Sequence, residues 1–407
     1  MTAGAEPAGA AVLRRLPATA QRTSRAPIGR LAFLGVVVAS FGGPLALAAL
    51  YAPTIITDTT STAGLVAVSA AVVFAVPLVV WVRYARHVAS DGGLYGFVRE
   101  AAGSRVASVQ AALWIVSYAL YLVYTTASIV YETLPAVLPW VHRYQSLLEV
   151  AIPVALAGVL LAGRTATLAV IGVLAGGQLI LVGILAGVAI SHDAPVHAFA
   201  GSAPAGEFAK ATGQISLLYV CGSLPVYLGG EVVRPTRTIP RGLVAGYLLT
   251  AIGVAAAVFP IAANPAFTRA PIPGMSIAEV FAGHQLAVAI GVGVAASVVG
   301  VMFVEALALS RLLHVLSRRS VRATTAFVAA VLVVSAPLTL ISPKRIYDDL
   351  LKPSLVALWL SQLIVFAVYP AFARRRGNRL GVALAVAAGG VVFAGYGLVA
   401  TFQHSGT

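Results

Sequence analysis

The sequence is poor in cysteine and in charge. Cys221 is the one cysteine among 407 residues, which excludes an internal disulfide, and no histidine or cysteine cluster has the spacing of a metal site. We therefore expect neither a metal nor another cofactor. Charged residues make up only 10% of the chain, and the apolar stretches lack the clustered titratable side chains that an enzyme needs at one depth. The chain is predicted not to be an enzyme.

Acidic residues are also scarce, and the net charge is +14. In a soluble protein that charge would indicate nucleic acid. Here 59% of the residues are hydrophobic and the mean hydropathy is +0.94, which is typical of a polytopic membrane protein. The basic residues lie in loops between apolar stretches, so the expected partner is a lipid bilayer and not nucleic acid.

Eleven apolar stretches each reach the length of about 20 residues that a helix needs to cross a bilayer. The sequence therefore predicts an all-α polytopic membrane protein with about 11 transmembrane helices, numbered here as spans 1 to 11. The predicted stretches are 31–52, 62–83, 106–132, 146–163, 167–190, 211–230, 240–262, 285–312, 323–342, 354–372 and 379–402.

The distribution of lysine and arginine predicts the orientation. With the N-terminus inside, 21 of these residues lie in cytoplasmic segments and 6 lie outside, as the positive-inside rule requires. We expect a plasma-membrane protein with a cytoplasmic N-terminus and, because eleven is odd, an external C-terminus. The polar residues 1–29 are predicted to be a disordered cytoplasmic tail.

Two spans contain a short break rich in glycine and proline: residues 40–44 (SFGGP) in span 1 and residues 221–225 (CGSLP) in span 6. A break inside a membrane survives only where protein or a water-filled cavity satisfies the freed backbone groups. The half-helix ends then offer a positive dipole to an anion and bare carbonyls to a cation. The two breaks favour a binding site for a zwitterion such as an amino acid, with ordinary helix kinks as the alternative.

The spacing of these breaks indicates an internal repeat. Gly222 lies 180 positions after Gly42, and Gly283 lies 180 positions after Gly103. Five spans, an odd number, separate the copies, so the second copy is inverted. We predict a five-plus-five inverted repeat with broken helices 1 and 6. Residues 30–190 form the first repeat, 211–373 the second, and 374–407 an extra helix 11 with a C-terminal tail.

A short helix is predicted before each of the later glycines. Asp91 stands where it would cap the first of these helices, which ends at Gly103. Ser276 and Glu279 have the spacing of a capping box at the start of the second.

Residues 92–103 (GGLYGFVREAAG) and 231–241 (EVVRPTRTIPR) resemble the loop after the second helix and the stretch after the sixth in the amino acid–polyamine–organocation superfamily of secondary transporters. The resemblance covers about residues 30–373 and implies a substrate site at the two breaks and alternating access. The chain departs from the family pattern in three places. Residues 40–44 differ from the usual Gly-small-Gly, Gln178 stands where some members carry a coupling lysine, and the twelfth helix is missing.

The candidate substrate-binding residues lie at the breaks or on spans expected to face them. The N–H groups of Gly42 and Gly43 are predicted to hold a carboxylate, and carbonyls near Ser40 and residues 220–222 an ammonium group. The stripe formed by Tyr118, Tyr121 and Tyr124 either faces the pocket or packs against other helices. The full set is Ser40, Phe41, Gly42, Gly43, Tyr118, Tyr219, Cys221, Gly222 and Ser223.

Glu305 is the one acid well inside a predicted span, and an intramembrane carboxylate is functional by default. It is a candidate proton site or gate partner, with a structural ion pair to a nearby arginine such as Arg311 as the alternative. Ser297 is a candidate cation ligand, or else bonds its own helix carbonyl. The candidate coupling and gate residues are Glu305, Gln178, Ser297, Glu231 and Arg30.

These features predict a secondary active transporter, a permease that moves a small neutral amino acid or related zwitterion by alternating access. Neutral substrates are favoured because no acid stands beside either break in the sequence. A coupling proton or sodium ion is the further partner considered. The alternatives are a transporter of polyamines, organocations or other metabolites with the same fold, and a membrane sensor that binds without transporting.

Overall fold

The computed structural model describes residues 27–192, 196–199 and 201–403, so residues 1–26 of the predicted tail lie outside the described part. Within it, eleven helices are long and apolar enough to cross a membrane, which confirms the predicted number and a multi-pass all-α membrane protein. Spans 1 to 11 are Arg30–Ile55, Thr57–Ala85, Ser104–Val137, Pro139–Ala162, Arg164–His192, Ala205–Leu228, Pro235–Ala262, His284–Ser317, Val321–Thr339, Pro343–Arg375 and Leu380–Gln403.

Span 10 begins well before its predicted start at residue 354. The helix starts at Pro343, whose fixed φ suits the first helical turn. Its first turns carry charged residues, which end the hydrophobic window but not the helix. The sequence therefore predicted where the apolar part of the helix begins and missed the polar turns that precede it.

The internal repeat is visible in backbone geometry. Gly103 has φ 89° and ψ 174°, and Gly283 has φ 91° and ψ 170°. Each follows a helix of 10 residues, Gly93–Ala102 or Pro273–Ala282, and leads into a long span. A positive φ of this kind suits glycine because it has no Cβ. The same turn therefore occurs at equivalent positions in the two copies of the repeat, 180 residues apart.

Helix packing follows the repeat as well. Span 3 packs on span 10, and its counterpart span 8 packs on span 5. Span 1 packs on span 7, and its counterpart span 6 packs on span 2. Spans 2 and 7 are counterparts in the two repeats and pack on each other, and so do the counterparts 4 and 9. Exchanging spans 1–5 with spans 6–10 maps each of these pairs onto another of them or onto itself, as a five-plus-five arrangement predicts. The contact of span 5 with span 7 has no comparable counterpart between spans 10 and 2, where span 11 packs against both. Span 11 lies outside the repeat, against spans 2 and 10.

Both capping predictions are wrong. The first short helix begins at Gly93 without a side-chain cap, and the Asp91 carboxylate instead accepts the Gly230 N–H at 2.7 Å. The second begins at Pro273, three residues before Ser276. Proline fixes the first turn there, so Ser276 and Glu279 lie inside the helix and do not cap its start.

Candidate substrate site and gate

The break in span 1 is built on two glycines. The first part of the helix ends at Ser40, Gly42 and Gly43 have φ of 75° and 70°, and the helix resumes at Pro44. The Gly42 N–H donates to the Ser40 carbonyl at 2.8 Å, so that amide is already used within the chain. The Gly43 N–H and the first-turn amides after Pro44 are then the donors left for an anion.

The break in span 6 takes a different form. The α-helix Ala205–Leu217 is followed by a 3₁₀-helix, Val220–Leu228. Because a 3₁₀-helix keeps i to i+3 hydrogen bonds, the chain is tightened here and not fully unwound. The Gly222 N–H donates to the Tyr219 carbonyl at 3.0 Å. The sequence located this change of helix type correctly, but it did not show that most amides would stay bonded.

The two breaks lie against each other. The Phe41 ring covers Gly222 so closely that a Cβ at position 222 would overlap it. A Cβ at Gly42 would lie 2.8 Å from the Leu218 carbonyl oxygen. The rings of Phe41 and Tyr219 have centroids 6.5 Å apart. The structure therefore brings four of the predicted substrate-binding residues together, with the buried Phe41 ring between the two segments.

A cavity of about 850 Å³ reaches this region from one end of the molecule, called the open face below. Spans 1, 3, 6, 10 and 11 form its walls. Cys221 is the only predicted substrate-binding residue among the described residues that line it. The lining residues are Ile55, Tyr121, Gln214, Leu217, Leu218, Val220, Cys221, Asp348, Asp349, Leu351, Lys352, Pro353, Leu355, Leu358, Trp359, Gly397, Ala400 and Thr401.

The tyrosine stripe of span 3 serves both suggested roles. Tyr121 lines the cavity, while Tyr118 and Tyr124 are buried. The ring centroid of Tyr121 lies 6.3 Å from that of Tyr118 and 5.0 Å from that of Tyr124. The middle ring therefore faces the cavity, and its neighbours support it.

The opposite end of the molecule, called the closed face below, is held by a buried ion-pair cluster. Glu231 follows span 6, and its carboxylate accepts from Arg311 Nε at 2.6 Å and from an Arg164 guanidinium nitrogen at 3.0 Å. Burial by itself would raise the pKa of Glu231, but the two arginines outweigh it and hold that pKa below its ordinary value. Spans 5 and 8 are thereby tied to the chain that leaves span 6.

Backbone hydrogen bonds close the same face. The Ile28 N–H donates to the Glu231 carbonyl at 2.8 Å, and the Val233 N–H donates to the Ile28 carbonyl at 3.1 Å. Ile28 was predicted to belong to a disordered tail, yet it is buried and pairs in parallel with Val232. The ordered chain therefore starts before span 1, because this short bridge anchors it.

Asp91 adds a further contact at the closed face, from the loop between spans 2 and 3. Burial, followed by repulsion from Glu231, raises the pKa of Asp91, while the bond from the Gly230 N–H opposes that rise. The ring of Tyr227 packs directly on Gly93 in the same region. The loop after span 2 and the end of span 6 are thus in close contact.

The remaining gate and coupling candidates occupy other places. Arg30 is exposed at the start of span 1 and is not part of the cluster around Glu231. The alternative of an ion pair between Glu305 and Arg311 is wrong, because Arg311 binds Glu231. Glu305 is fully buried, and neither of its carboxylate oxygens has a hydrogen-bond partner within the described residues.

Gln178 and Ser297 are also buried without side-chain partners in the described part of the chain. The Gln178 amide nitrogen lies against Gly300, and the Ser297 Cβ lies against Gly43. The two side chains therefore occupy the junction of spans 1, 5 and 8. The proposed bond from Ser297 to its own helix carbonyl is not formed.

Glu305 lies on span 8, which packs on span 3 and on the 3₁₀-helix of span 6. It is fully buried and is not among the described residues that line the cavity. The carboxylate is therefore enclosed between helices and does not open onto the cavity.

Sequence reasoning missed a second buried acid. Glu149 lies in span 4 with no exposed surface, and its Oε1 accepts the Thr339 hydroxyl of span 9 at 2.5 Å. It stands only three residues into the predicted stretch, where an acid is expected to reach solvent. Span 4 in fact begins at Pro139, so this carboxylate lies deeper.

Comparison with known proteins identifies the fold. No protein-family model matches the sequence, and no curated protein matches it. Among solved structures, the chain is similar to the crystal structure of MhsT in complex with L-phenylalanine, with a TM-score of 0.62 and 14% sequence identity. The alignment covers 93% of this chain and 99% of that chain. At this identity the likeness establishes a shared fold.

Proposed function

We propose that this protein is a secondary transporter of amino acids or closely related amines that works by alternating access. The observation that carries the proposal is the contrast between its two ends. A cavity runs from the open face to the second break, while the closed face is held by Glu231 and its two arginines. This is the arrangement of one end state of a carrier whose site faces one side at a time.

The shared fold supports an amino-acid-like substrate, since the MhsT structure contains L-phenylalanine. In this chain the Gly43 N–H and the amides after Pro44 suit a carboxylate, because they form the positive end of a half-helix. The side chains of Cys221 and Tyr121 line the nearby cavity. We place the substrate between the amides of the span 1 break and the side chains of Cys221 and Tyr121.

The distribution of basic residues supports an orientation in the plasma membrane. The closed face carries the arginine-rich loops, so we assign it to the cytoplasm and the open face to the outside. The N-terminus is then cytoplasmic and the C-terminus external. The motifs at residues 92–103 and 231–241, together with the fold, support membership of the amino acid–polyamine–organocation superfamily.

A coupling cation is the second ligand we propose. Ser297 and Gln178 are buried polar side chains without partners among the described residues. Ser297 lies against Gly43 of the span 1 break, and Gln178 lies against Gly300, about one turn further along span 8. A buried polar group is costly unless something binds it. A sodium ion or a proton carried by water at this junction would satisfy both side chains.

The transport proposal is tested with the accessibility of introduced cysteines and with uptake. Leu355 lines the cavity and Ser317 ends span 8 at the closed face, where it is exposed. We expect a membrane-impermeant thiol reagent to label Leu355→Cys from outside intact cells and Ser317→Cys only from inside-out vesicles. The wild type, whose one thiol is buried, supplies the background.

Uptake completes that test. Purified protein in liposomes should accumulate a radiolabelled amino acid or amine that also protects Leu355→Cys from labelling. Protection without uptake would favour a sensor. Equal labelling of both cysteines from the same side would contradict a closed face opposite an open one.

A further inference from the structure

We infer that a polar seam between spans 3, 6 and 10 is the inner half of the transport path, which admits water and the substrate when the closed face opens. The inference rests on the proposed transport function and goes beyond it, because it names the helices that separate. The side chains of the polar seam have no exposed surface, and they are Gln110, Trp114, Ser223, Tyr227, Ser361 and Gln362.

Three side chains of the polar seam carry an atom without a partner. Gln110 Oε1, Trp114 Nε1 and Gln362 Oε1 have no hydrogen-bond partner among the described residues. A buried polar atom in this situation is costly, and polar groups inside membrane spans commonly mark a pathway. Water that enters an opened seam gives all three atoms partners, so these groups stabilise the open seam relative to the closed one.

A row of aromatic rings leads from the cavity along the polar seam. Tyr121 lines the cavity, and its ring centroid lies 6.3 Å from that of Tyr118. The Trp114 ring lies 4.3 Å from the Tyr118 ring on one side and 4.3 Å from the Tyr227 ring on the other. Tyr227 in turn packs on Gly93 at the closed face. The seam therefore continues from the cavity to the closed face.

Hydrogen bonds join the three spans across the polar seam. Cys221 lines the cavity, and two residues further on the Ser223 hydroxyl accepts Gln362 Nε2 of span 10 at 3.4 Å. The neighbouring Ser361 hydroxyl accepts Gln110 Nε2 of span 3 at 2.9 Å. Polar contacts thus start directly below the second break and connect all three helices.

The bonds that cross the polar seam are all between neutral groups. Within the described residues, no ion pair joins span 3, 6 or 10 to another of these three spans. Exchanging a neutral hydrogen bond for bonds to water changes the free energy little. The ion pairs of Glu231 instead tie spans 5 and 8 to the chain after span 6. Once the closed face opens, the seam can therefore separate without breaking an ion pair of its own.

Ala394 of span 11 supplies a matched control for accessibility. It is fully buried, like Ser361 of the polar seam. Two contacts of span 11 with span 10 lie on either side of it, Gly390 on Phe366 and Gly397 on Trp359. Ala394 is therefore at the level of Ser361 but outside the seam.

The first experiment labels introduced cysteines from the closed face. A membrane-impermeant thiol reagent is added to inside-out vesicles that contain the full-length chain, and mass spectrometry assigns the label to the introduced cysteine or to Cys221. We expect Ser361→Cys to be labelled and Ala394→Cys to stay unlabelled. Adding Arg311→Met, which loosens the closed face, should raise labelling of Ser361→Cys at least about tenfold.

The second experiment compares two variants that each remove an unpartnered polar atom. Gln362→Met does so inside the polar seam, and Thr250→Val does so on span 7, where the buried hydroxyl also has no partner among the described residues. Neither variant should lower the melting temperature. We measure uptake into liposomes of a mixture of radiolabelled L-amino acids and their decarboxylated amines, and protection of Leu355→Cys by the same mixture.

We expect Gln362→Met to slow uptake at least about tenfold, because methionine offers water no hydrogen bond in the opened seam. Protection of Leu355→Cys should persist, since Gln362 is not among the described residues that line the cavity. Thr250→Val should leave both uptake and protection unchanged.

Three outcomes overturn the inference. They are an unlabelled Ser361→Cys even with Arg311→Met, equal labelling of Ser361→Cys and Ala394→Cys, and wild-type uptake by Gln362→Met. Absence of uptake by the wild type contradicts the transport function itself. Wild-type uptake with an inaccessible Ser361→Cys contradicts only the route.

Discussion

At the closed face, the Glu231 carboxylate receives two arginine side chains, whereas inside the helix bundle the Glu305 carboxylate receives no hydrogen bond from the described residues. The Glu231 side chain is only 11% exposed and Glu305 is fully buried, so both carboxylates are largely shielded from solvent. The protein supplies counter-ions for the first carboxylate and, within the described residues, none for the second. The paired carboxylate ties spans 5 and 8 to the chain that follows span 6.

The backbone shows the same contrast. At the closed face Ile28 pairs with the chain on both sides of Val232, and Asp91 holds the Gly230 N–H. At the break of span 1 the Gly43 N–H stands at the start of a half-helix, where amides have no helical partner. The backbone groups at the closed face are therefore hydrogen-bonded within the protein, whereas the amide at the span 1 break has no helical partner.

The largest expected effect comes from breaking the ion pairs of Glu231. Arg311→Met leaves Glu231 buried with one arginine, and removing one partner of a buried pair costs about 3–5 kcal/mol. We expect a large fall in melting temperature and labelling of Leu355→Cys from the cytoplasmic side as the closed face opens.

Arg345→Met is the control for that variant. Arg345 pairs with Asp349 at 3.5 Å, but both side chains are largely exposed, so solvent screening leaves at most about 1 kcal/mol. Equal destabilisation by the two variants would show that the ion pairs of Glu231 are not the main interactions that stabilise the closed face.

An intermediate effect is expected from Gly43→Ala. Its φ of 70° costs a residue with a side chain about 1–2 kcal/mol, and the added methyl group would lie 2.9 Å from the Ser297 Cβ. Span 8 must move to make room, so both the melting temperature and ligand affinity should fall.

Gly176→Ala supplies the comparison, because no atom lies within 4 Å of a Cβ there. Within the helix of span 5, alanine is favoured over glycine by up to about 1 kcal/mol. A Gly43→Ala variant as stable as Gly176→Ala would contradict the tight contact between spans 1 and 8.

The smallest effect concerns pH at the closed face. The pKa of Asp91 is raised, so between its ordinary and raised values the folded protein binds more protons than the unfolded chain, and stability falls as pH rises through that window. The pKa of Glu231 is lowered, so its contribution is present above the ordinary carboxyl pKa and is lost as pH falls through the lowered value.

Asp91→Asn separates the two groups. The amide oxygen still accepts the Gly230 N–H, while the repulsion from Glu231 disappears. We expect a gain of less than about 1 kcal/mol at neutral pH that vanishes in acid, where Asp91 is protonated in the wild type. Melting temperature measured against pH tests this, and a gain independent of pH would exclude Asp91 titration as its cause.

Several features were predictable because their causes are local. Hydrophobic length gave the number of spans, and the 180-residue spacing of Gly103 and Gly283 gave the repeat, since each needs a backbone conformation that favours glycine. Helix starts were less predictable. Asp91 has the chemistry of a cap, but a tertiary contact with Gly230 uses its carboxylate instead.

The sequence alone determined the eleven spans, the two breaks and the inverted repeat, because hydrophobicity and glycine geometry act over a few residues. Only the tertiary structure decided which charges meet. Glu231 binds Arg164 and Arg311 at separations of 67 and 80 positions, and Glu305 is enclosed without an ionic partner among the described residues. The free energy of a buried charge depends on what packs around it, and residues distant in the chain supply those surroundings.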